Sequence, residues 1–236
     1  MKRIVAALGL IWVVYVLFTH FVLVPPGPGA PPQDILGYLH YNFNAISITT
    51  YWGIVVTVLF FLFGSCLVTT SRGHDEIANR TLTTLATGGL LAYVILSLAS
   101  QAILLSISYY LPEAQSPILI LAGYQVYWAI DPAVVALLTL AIFMAGTAFI
   151  GLRNRTMIRS LSWSGLGLAA LTALGTLFIL WSPLSVLISI VEILVPLWFA
   201  AAAISLMIEL PKPVPGVPVD SSDMEEPKPE EPVPES

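Results

Sequence analysis

The sequence predicts an all-α membrane protein, a six-transmembrane-helix bundle with short loops. Of its 236 residues, 57% are hydrophobic and only 10% are charged, whereas about 25% of the residues in a typical soluble domain are charged. Six apolar runs, uncharged apart from Glu192, are each close to the roughly 20 residues that a helix needs to cross a bilayer. These runs are residues 4–24, 45–70, 82–105, 132–152, 161–181 and 184–208. Composition and run length together place residues 1–210 in the cell membrane, with the lipid bilayer as their partner.

The positions of lysine and arginine predict how these spans are oriented. Three of the loops, residues 25–44, 106–131 and 182–183, contain no basic residue. With six spans, all nine basic residues fall on the other side, and basic residues concentrate in cytoplasmic loops. Both termini are therefore predicted to be cytoplasmic (N-in/C-in). The nine residues are Lys2, Arg3, Arg72, Arg80, Arg153, Arg155, Arg159, Lys212 and Lys228.

The first span has an alternative interpretation as a cleaved signal peptide. Its apolar region of about 21 residues is longer than the 7–15 residues typical of a signal peptide. The segment PPGPGAPP that follows offers a poor small-residue cleavage site. We therefore expect a retained helix, and cleavage would leave five spans.

Two outer segments are expected to lie at the membrane surface rather than to cross it. Asp34–Asn44 (DILGYLHYNFN) has the pattern of an amphipathic turn or short helix. Ile118–Ile130 is apolar but too short for a span, which suits an interfacial or re-entrant segment that caps the bundle. Ser182 and Pro183 indicate a tight turn, so the last two spans are predicted to form a helical hairpin.

Residues 211–236 form a predicted disordered cytoplasmic tail. This segment contains eight prolines, seven acidic residues and two lysines, and almost no large apolar residue. Such a composition cannot bury a core and is repelled by an anionic membrane face. We expect a solvating tail, and the alternative is a docking segment for a basic or proline-binding protein partner.

The sequence contains no recognisable catalytic constellation. Motifs for metalloproteases, P-loops and serine hydrolases are absent. His20 and His40 share a predicted side, but they lack the nearby carboxylate or third ligand that would indicate a metal site. The single Cys66 excludes a disulfide within the chain, and no basic surplus indicates a nucleic-acid partner. We therefore predict no enzyme activity, no cofactor and no metal.

Glu192 is the one carboxylate inside a predicted span, in the stretch ISIVEILVPLW. An ionisable residue within a membrane is costly and by default indicates a functional site. Pro196 lies four residues further on and leaves the carbonyl group of residue 192 without its helical partner. One hydroxyl on each other span is predicted at about the same depth: Tyr15, Thr57, Ser97, Thr139 and Thr172. His20 is the nearest basic candidate, several ångströms closer to the surface, and the alternative is a neutral, hydrogen-bonded glutamate that fixes helix register.

Small residues on the fifth span indicate close helix packing. Gly165, Ala169 and Ala173 recur at four-residue spacing, which lets two helix backbones approach. Packing within the bundle is the favoured interpretation, and dimerisation is the alternative.

Residues 146–207 carry a resemblance to a known kind of protein. The sequence GTAFIGLRNR is followed by a short basic loop, then SLSWSGLGLAALTAL and a final apolar hairpin. This part resembles uncharacterised prokaryotic multi-span integral membrane proteins in which a basic turn precedes a W-x-G-x-x-G-like helix start. Here Trp163, Gly165 and Gly167 depart from that spacing. The resemblance implies architecture only, because such families have no assigned activity.

Two classes of function remain. Without a catalytic motif, the packing faces and the tail favour a non-enzymatic accessory or scaffold subunit. The alternative is a small transporter or proton-coupled permease with Glu192 as its membrane-embedded ionisable site. A polar cavity that reaches Glu192 would favour the transporter, and a closed bundle would favour the scaffold.

Overall fold

A computed structural model describes residues 2–27, 29–72, 76–110, 117–130, 135–179 and 185–208. Over these residues the chain is helical and contains no strand. The helices are α1 (Lys2–Val22), α2 (Pro32–Tyr41), α3 (Phe43–Arg72), α4 (Glu76–Tyr110), α5 (Pro117–Ile130), α6 (Val135–Asn154), α7 (Arg159–Gly175) and α8 (Ser185–Met207), with a 3₁₀ turn at Thr176–Ile179 after α7. The predicted tail at 211–236 and the predicted turn at Ser182 and Pro183 lie outside the described residues.

Five stretches of the described chain are long and apolar enough to cross a membrane, judged by length and composition. They are Arg3–Val22, Phe43–Ser71, Arg80–Tyr109, Pro117–Asn154 and Leu187–Met207. The fourth stretch includes both α5 and α6. The predicted fifth span, 161–181, corresponds to α7 and the 3₁₀ turn, and α7 alone has 17 residues. At 1.5 Å per residue that is about 25 Å, shorter than the roughly 30 Å hydrocarbon core.

Six of the described helices contact one another in a closed ring. The order around the ring is α1, α3, α4, α6, α7 and α8, and α8 returns to contact α1. Helices α3 and α6 also contact each other across the ring. Each of the six helices packs against two neighbours, so the ring encloses one continuous interior.

Aromatic side chains fill one level of this interior. Phe60 lies at their centre and is fully buried. Its ring stacks on Trp12 with 4.2 Å between centroids and meets Phe199 edge-on at 5.1 Å. Phe199 in turn stacks on Phe143 at 5.8 Å. Rings from α1, α3, α6 and α8 thereby form a buried aromatic layer, defined here as Trp12, Phe60, Phe63, Phe143 and Phe199.

Small residues bring α4 and α6 into close contact beside the aromatic layer. A side-chain carbon added at Gly89 of α4 would lie 2.7 Å from the Phe143 backbone nitrogen and 2.9 Å from the Thr139 carbonyl oxygen. A carbon added at Gly146 of α6 would lie 2.9 Å from Ala86. The helices can approach this far only because glycine has no Cβ.

A short turn joins α6 to α7 at one end of the bundle. Arg155 has φ of 53°, and the Thr156 N–H donates to the Gly151 carbonyl at 3.1 Å, which is the pattern of a Schellman cap. Asn154 Nδ2 and Thr156 Oγ1 both donate to the Ser71 carbonyl of α3 at 3.0 Å. The ends of α3 and α6 therefore meet, and we call this end, with Arg153, Arg155 and Arg159, the basic end.

Helices α2 and α5 lie at the opposite end of the bundle. Both outer segments are helical, and α5 contacts α2, α4 and α6. Ile35, Leu39, Ile46 and Tyr124 form a small buried cluster there. Tyr124 donates its hydroxyl to the Pro26 carbonyl at 2.8 Å, which fastens α5 to the connector between α1 and α2.

Candidate functional site

A cavity of about 290 Å³ lies inside the ring, between the aromatic layer and the end that carries α2 and α5. On α1 its lining residues run from Trp12 to Leu23. The eleven residue steps from Trp12 to Leu23 correspond to a rise of about 16 Å. The cavity thus reaches from the loop end of the bundle down to the aromatic layer.

His20 and Glu192 meet in the wall of this cavity. His20 Nδ1 lies 3.3 Å from Glu192 Oε2, and each side chain is 29% exposed. The two residues come from α1 and α8, neighbours in the ring. The contact is an ion pair when the imidazole is protonated and a hydrogen bond from Nδ1–H when it is neutral. Glu192 therefore has a titratable partner, and its carboxylate also faces open space.

A polar side chain of α4 in the cavity wall reaches the neighbouring helix α3. Gln101 Nε2 donates to Thr57 Oγ1 at 3.2 Å. Gln101 Oε1 is buried, and among the described residues it has no hydrogen-bond partner. A buried carbonyl without a donor is costly by about 1–3 kcal/mol. This oxygen is accordingly an acceptor held ready for a ligand or a water molecule in the cavity.

Gly53 of α3 makes room for these polar groups. A Cβ at this position would lie 2.5 Å from the Tyr15 hydroxyl and 2.8 Å from Gln101 Oε1. Tyr15 donates its hydroxyl to the Thr49 carbonyl of α3 at 2.7 Å. A glycine is therefore needed here so that side chains of α1 and α4 can lie against the α3 backbone.

Tyrosines form the cavity wall at the end with α2 and α5. Tyr38, Tyr124 and Tyr127 all line it. Burial raises the pKa of Tyr38 above its ordinary value of 10.0, so this hydroxyl stays neutral at physiological pH. This end of the cavity, which we call the rim, therefore presents aromatic rings and hydroxyl groups and adds no charge.

Six of the eight residues proposed from sequence for the intramembrane site line this one cavity: Tyr15, His20, Thr57, Ser97, Glu192 and Pro196. Thr139 and Thr172 do not line it. The hydroxyl of Thr139 donates to the Ala136 carbonyl and that of Thr172 to the Leu168 carbonyl, each at 2.8 Å within its own helix. A common depth does not fix how a helix is rotated, which is why two of the hydroxyls lie elsewhere.

Gln101 is the main cavity residue that sequence reasoning missed. It is the only amide side chain in the predicted span 82–105. A glutamine in a membrane span usually hydrogen-bonds to another helix, so its presence was a usable signal. Thr50 of α3 and Gly53 carried no comparable signal, because threonine and glycine are common in membrane helices.

The small-residue face of α7 packs against α8. Gly165 is in close contact with Trp198, since an added Cβ would lie 2.7 Å from its ring. Trp198 Nε1 also donates to the Leu161 carbonyl at 2.9 Å. Ala169 is buried and Ala173 is partly buried against the same core. This contact joins two helices of the chain itself.

Within the described residues, no group of three or more His, Cys, Asp or Glu side chains is arranged to hold a metal ion. The polar side-chain groups that line the cavity within the described residues are thus one carboxylate, one imidazole, several hydroxyls and one amide. Comparison of the chain with protein-family models, with curated proteins and with solved structures found no match.

Proposed function

We propose that the chain crosses the membrane six times and that α7 with its 3₁₀ turn is the fifth span. The turn adds four residues to the 17 of α7. At roughly 2 Å per residue it extends the segment from about 25 Å to about 33 Å, which is enough for the hydrocarbon core. The closed ring supports this count, because α7 packs between α6 and α8 as an equal member.

The orientation follows from the two ends of the bundle. Hydrogen bonds to the Ser71 carbonyl gather the α6–α7 loop and the end of α3 at the basic end. The positive-inside rule assigns that end to the cytoplasm. Both termini are then cytoplasmic, and the cavity reaches the outer face of the membrane beneath α2 and α5.

The proposed activity is that of a small permease whose binding site is the cavity, with Glu192 as its ionisable group. One observation carries this proposal: a cavity that extends along about 16 Å of α1 contains the His20–Glu192 pair. A glutamate that only fixed helix register would be sealed among packed side chains, since exposed polar groups within a membrane are costly. Here the carboxylate instead faces space large enough for a solute.

The buried aromatic layer fits the same function. Phe60, Phe143 and Phe199 are fully buried and fill the ring directly below the cavity. A permease must close its site on one side of the membrane while the other side is open. In this arrangement the aromatic layer is the closed side, and the proton-carrying groups His20 and Glu192 lie above it.

An accessory or scaffold subunit is the second candidate. The observation that favours it is that His20 already satisfies Glu192 from within the chain. Such a pair stabilises the contact between α1 and α8 without any ligand. In that case the cavity would hold only water, and no solute would cross.

A reconstitution experiment separates these candidates. The purified chain is placed in proteoliposomes with a pH gradient of either direction, and uptake is measured for choline, glycerol and lactate, which are cationic, neutral and anionic solutes. A permease should take up at least one of them faster than protein-free vesicles. Glu192→Gln should abolish that uptake and keep the thermal unfolding midpoint.

Thr172→Val is the matched control, because Thr172 lies at a similar predicted depth but off the cavity wall. It should transport like the parent. Absence of protein-dependent uptake for all three solutes under both gradients, or full uptake by Glu192→Gln, would contradict the permease and favour the scaffold.

The orientation has its own test. Cys66 is the only cysteine in the chain, so Cys66→Ser gives a clean background for Ser97→Cys in the cavity and for Thr172→Cys outside it. A membrane-impermeant cationic thiol reagent added to intact cells should label position 97 and leave position 172 unlabelled. Labelling of position 97 only from the inner side of inverted vesicles would reverse the proposed orientation.

A further inference from the structure

Apart from the titratable imidazole of His20, the charge in the cavity wall is negative. Glu192 is the only carboxylate among the described residues that line the cavity, and none of those residues is lysine or arginine. The arginines of the α6–α7 loop lie at the opposite, basic end. A bound anion would therefore meet a carboxylate and no fixed cation to neutralise it.

Aromatic side chains line the same space. Trp12 and Tyr93 lie at the deep end, Tyr15 lies on the wall, and Tyr38, Tyr124 and Tyr127 lie at the rim. The face of an aromatic ring attracts organic cations, and rings that enclose a quaternary ammonium group are the best-known case. A carboxylate and several aromatic rings that line one cavity are thus a combination suited to an alkylammonium group.

The unpartnered amide oxygen adds a third element. Gln101 Oε1 is buried, and within the described residues no donor reaches it. Its amide nitrogen donates to Thr57 Oγ1 at 3.2 Å, which leaves the oxygen as the end of the amide without a hydrogen bond to any described residue. An ammonium N–H is the donor that this oxygen lacks.

The volume limits the size of the ligand. A cavity of about 290 Å³ holds on the order of ten water molecules at roughly 30 Å³ each. This is at the lower end of the range for small-molecule pockets. A ligand of about ten non-hydrogen atoms would fill it.

We infer that the cavity binds a small organic cation, an alkylamine or a quaternary ammonium compound, with Glu192 as its counter-ion. The inference rests on the proposed permease, whose substrate class it names. The ammonium group takes the place of the imidazole at Glu192, the tyrosine rings enclose its alkyl substituents, and Gln101 accepts an N–H where the ligand has one. The same ammonium chemistry occurs in free amines and in the headgroups of choline and ethanolamine lipids.

Binding to the detergent-purified chain tests this inference by calorimetry. The probes are choline, the neutral analogue in which carbon replaces the nitrogen of choline, and lactate. Choline should bind at least about tenfold more tightly than the neutral analogue. Glu192→Gln should remove that preference, because it keeps the shape of the side chain and deletes its charge. Thr172→Val should keep it.

A second variant tests the role assigned to Gln101. Gln101→Met keeps the length of the side chain and removes the acceptor. It should weaken ethanolamine, which has ammonium N–H donors, several-fold more than choline, which has none. Equal loss for both probes would overturn this role.

One further probe identifies the source of the ligand. A short-chain phosphatidylcholine that binds more tightly than choline would make the ligand a lipid headgroup, and the reverse order would make it a free solute. Equal binding of choline and its neutral analogue, or a preference for lactate, would overturn the cation inference.

The outcomes for the inference and for the permease are distinct. Glu192-dependent uptake of glycerol or lactate alone would leave the permease standing and overturn the cation inference. Glu192-dependent choline binding without uptake of any solute would leave the cation site standing and contradict the permease.

Discussion

The aromatic layer and the cavity are built by the same helices at two levels of one ring, yet they differ in almost every property. At the aromatic layer, α1, α3, α6 and α8 turn large rings inward, where the rings pack against one another. At the cavity, the same four helices contribute His20, Thr57, Leu137 and Glu192 to the wall of an open space. Packing holds the first level together, whereas the second contains an open space and an oxygen of Gln101 that is unpartnered in the described part of the chain.

Glycines have opposite roles at the two levels. Gly89 lets the backbones of α4 and α6 touch beside the aromatic layer, so its missing Cβ is replaced by another helix. Gly53 lets the ends of Tyr15 and Gln101 lie against α3, so its missing Cβ is replaced by polar groups. The comparison predicts that substitutions in the packed level change stability and that substitutions at the cavity change binding.

The largest effect is expected from Phe60→Ala. Phe60 is fully buried and contacts rings from several helices, so its removal should lower the free energy of unfolding by about 3–5 kcal/mol. Phe149→Ala is the control, because Phe149 is 46% exposed, and it should cost about 1 kcal/mol or less. Denaturant titration in detergent measures both. A similar cost for the two variants would show that the aromatic layer does not hold the ring.

Gly89→Ala should have the next largest effect. The added methyl group meets backbone atoms of Phe143 and Thr139, which cannot move without shifting the whole helix. We expect a loss of about 1–3 kcal/mol. The neighbouring Gly88 has no atom within 4 Å of an added Cβ, so Gly88→Ala should be neutral or stabilise by up to about 1 kcal/mol. Equal unfolding midpoints for the two variants would argue against the close contact of α4 with α6.

Of the substitutions at the two levels of the ring, Gly53→Ala should have a smaller effect on stability than Phe60→Ala and Gly89→Ala, under about 1 kcal/mol, because the atoms it meets are the ends of side chains that can move. The displaced Tyr15 hydroxyl and Gln101 amide should nevertheless weaken choline binding several-fold. Gly167→Ala on α7, where an added Cβ meets nothing within 4 Å, should leave both properties unchanged. Calorimetry and denaturant titration on one protein preparation give the two readings, and an unchanged choline affinity in Gly53→Ala would remove Gly53 from the site.

Much of the architecture could be predicted from the sequence because a bilayer makes local composition decisive. Long apolar runs must be helices, since backbone groups in lipid find partners only within the segment or in a closed barrel. For the same reason Glu192 was conspicuous, as a carboxylate in an otherwise uncharged run. Depth along each helix, at about 1.5 Å per residue, also predicted His20 and Tyr15 close to the level of Glu192, and all three line the cavity.

Only the tertiary structure decided which of these residues share a space. Rotation of each helix about its axis depends on packing against its neighbours, and it turned Thr57 and Ser97 toward the cavity but directed the hydroxyls of Thr139 and Thr172 to their own helices. The contact between His20 and Glu192 depends on the adjacency of α1 and α8. These two helices are far apart in sequence, and no local pattern encodes which distant helix will be a neighbour.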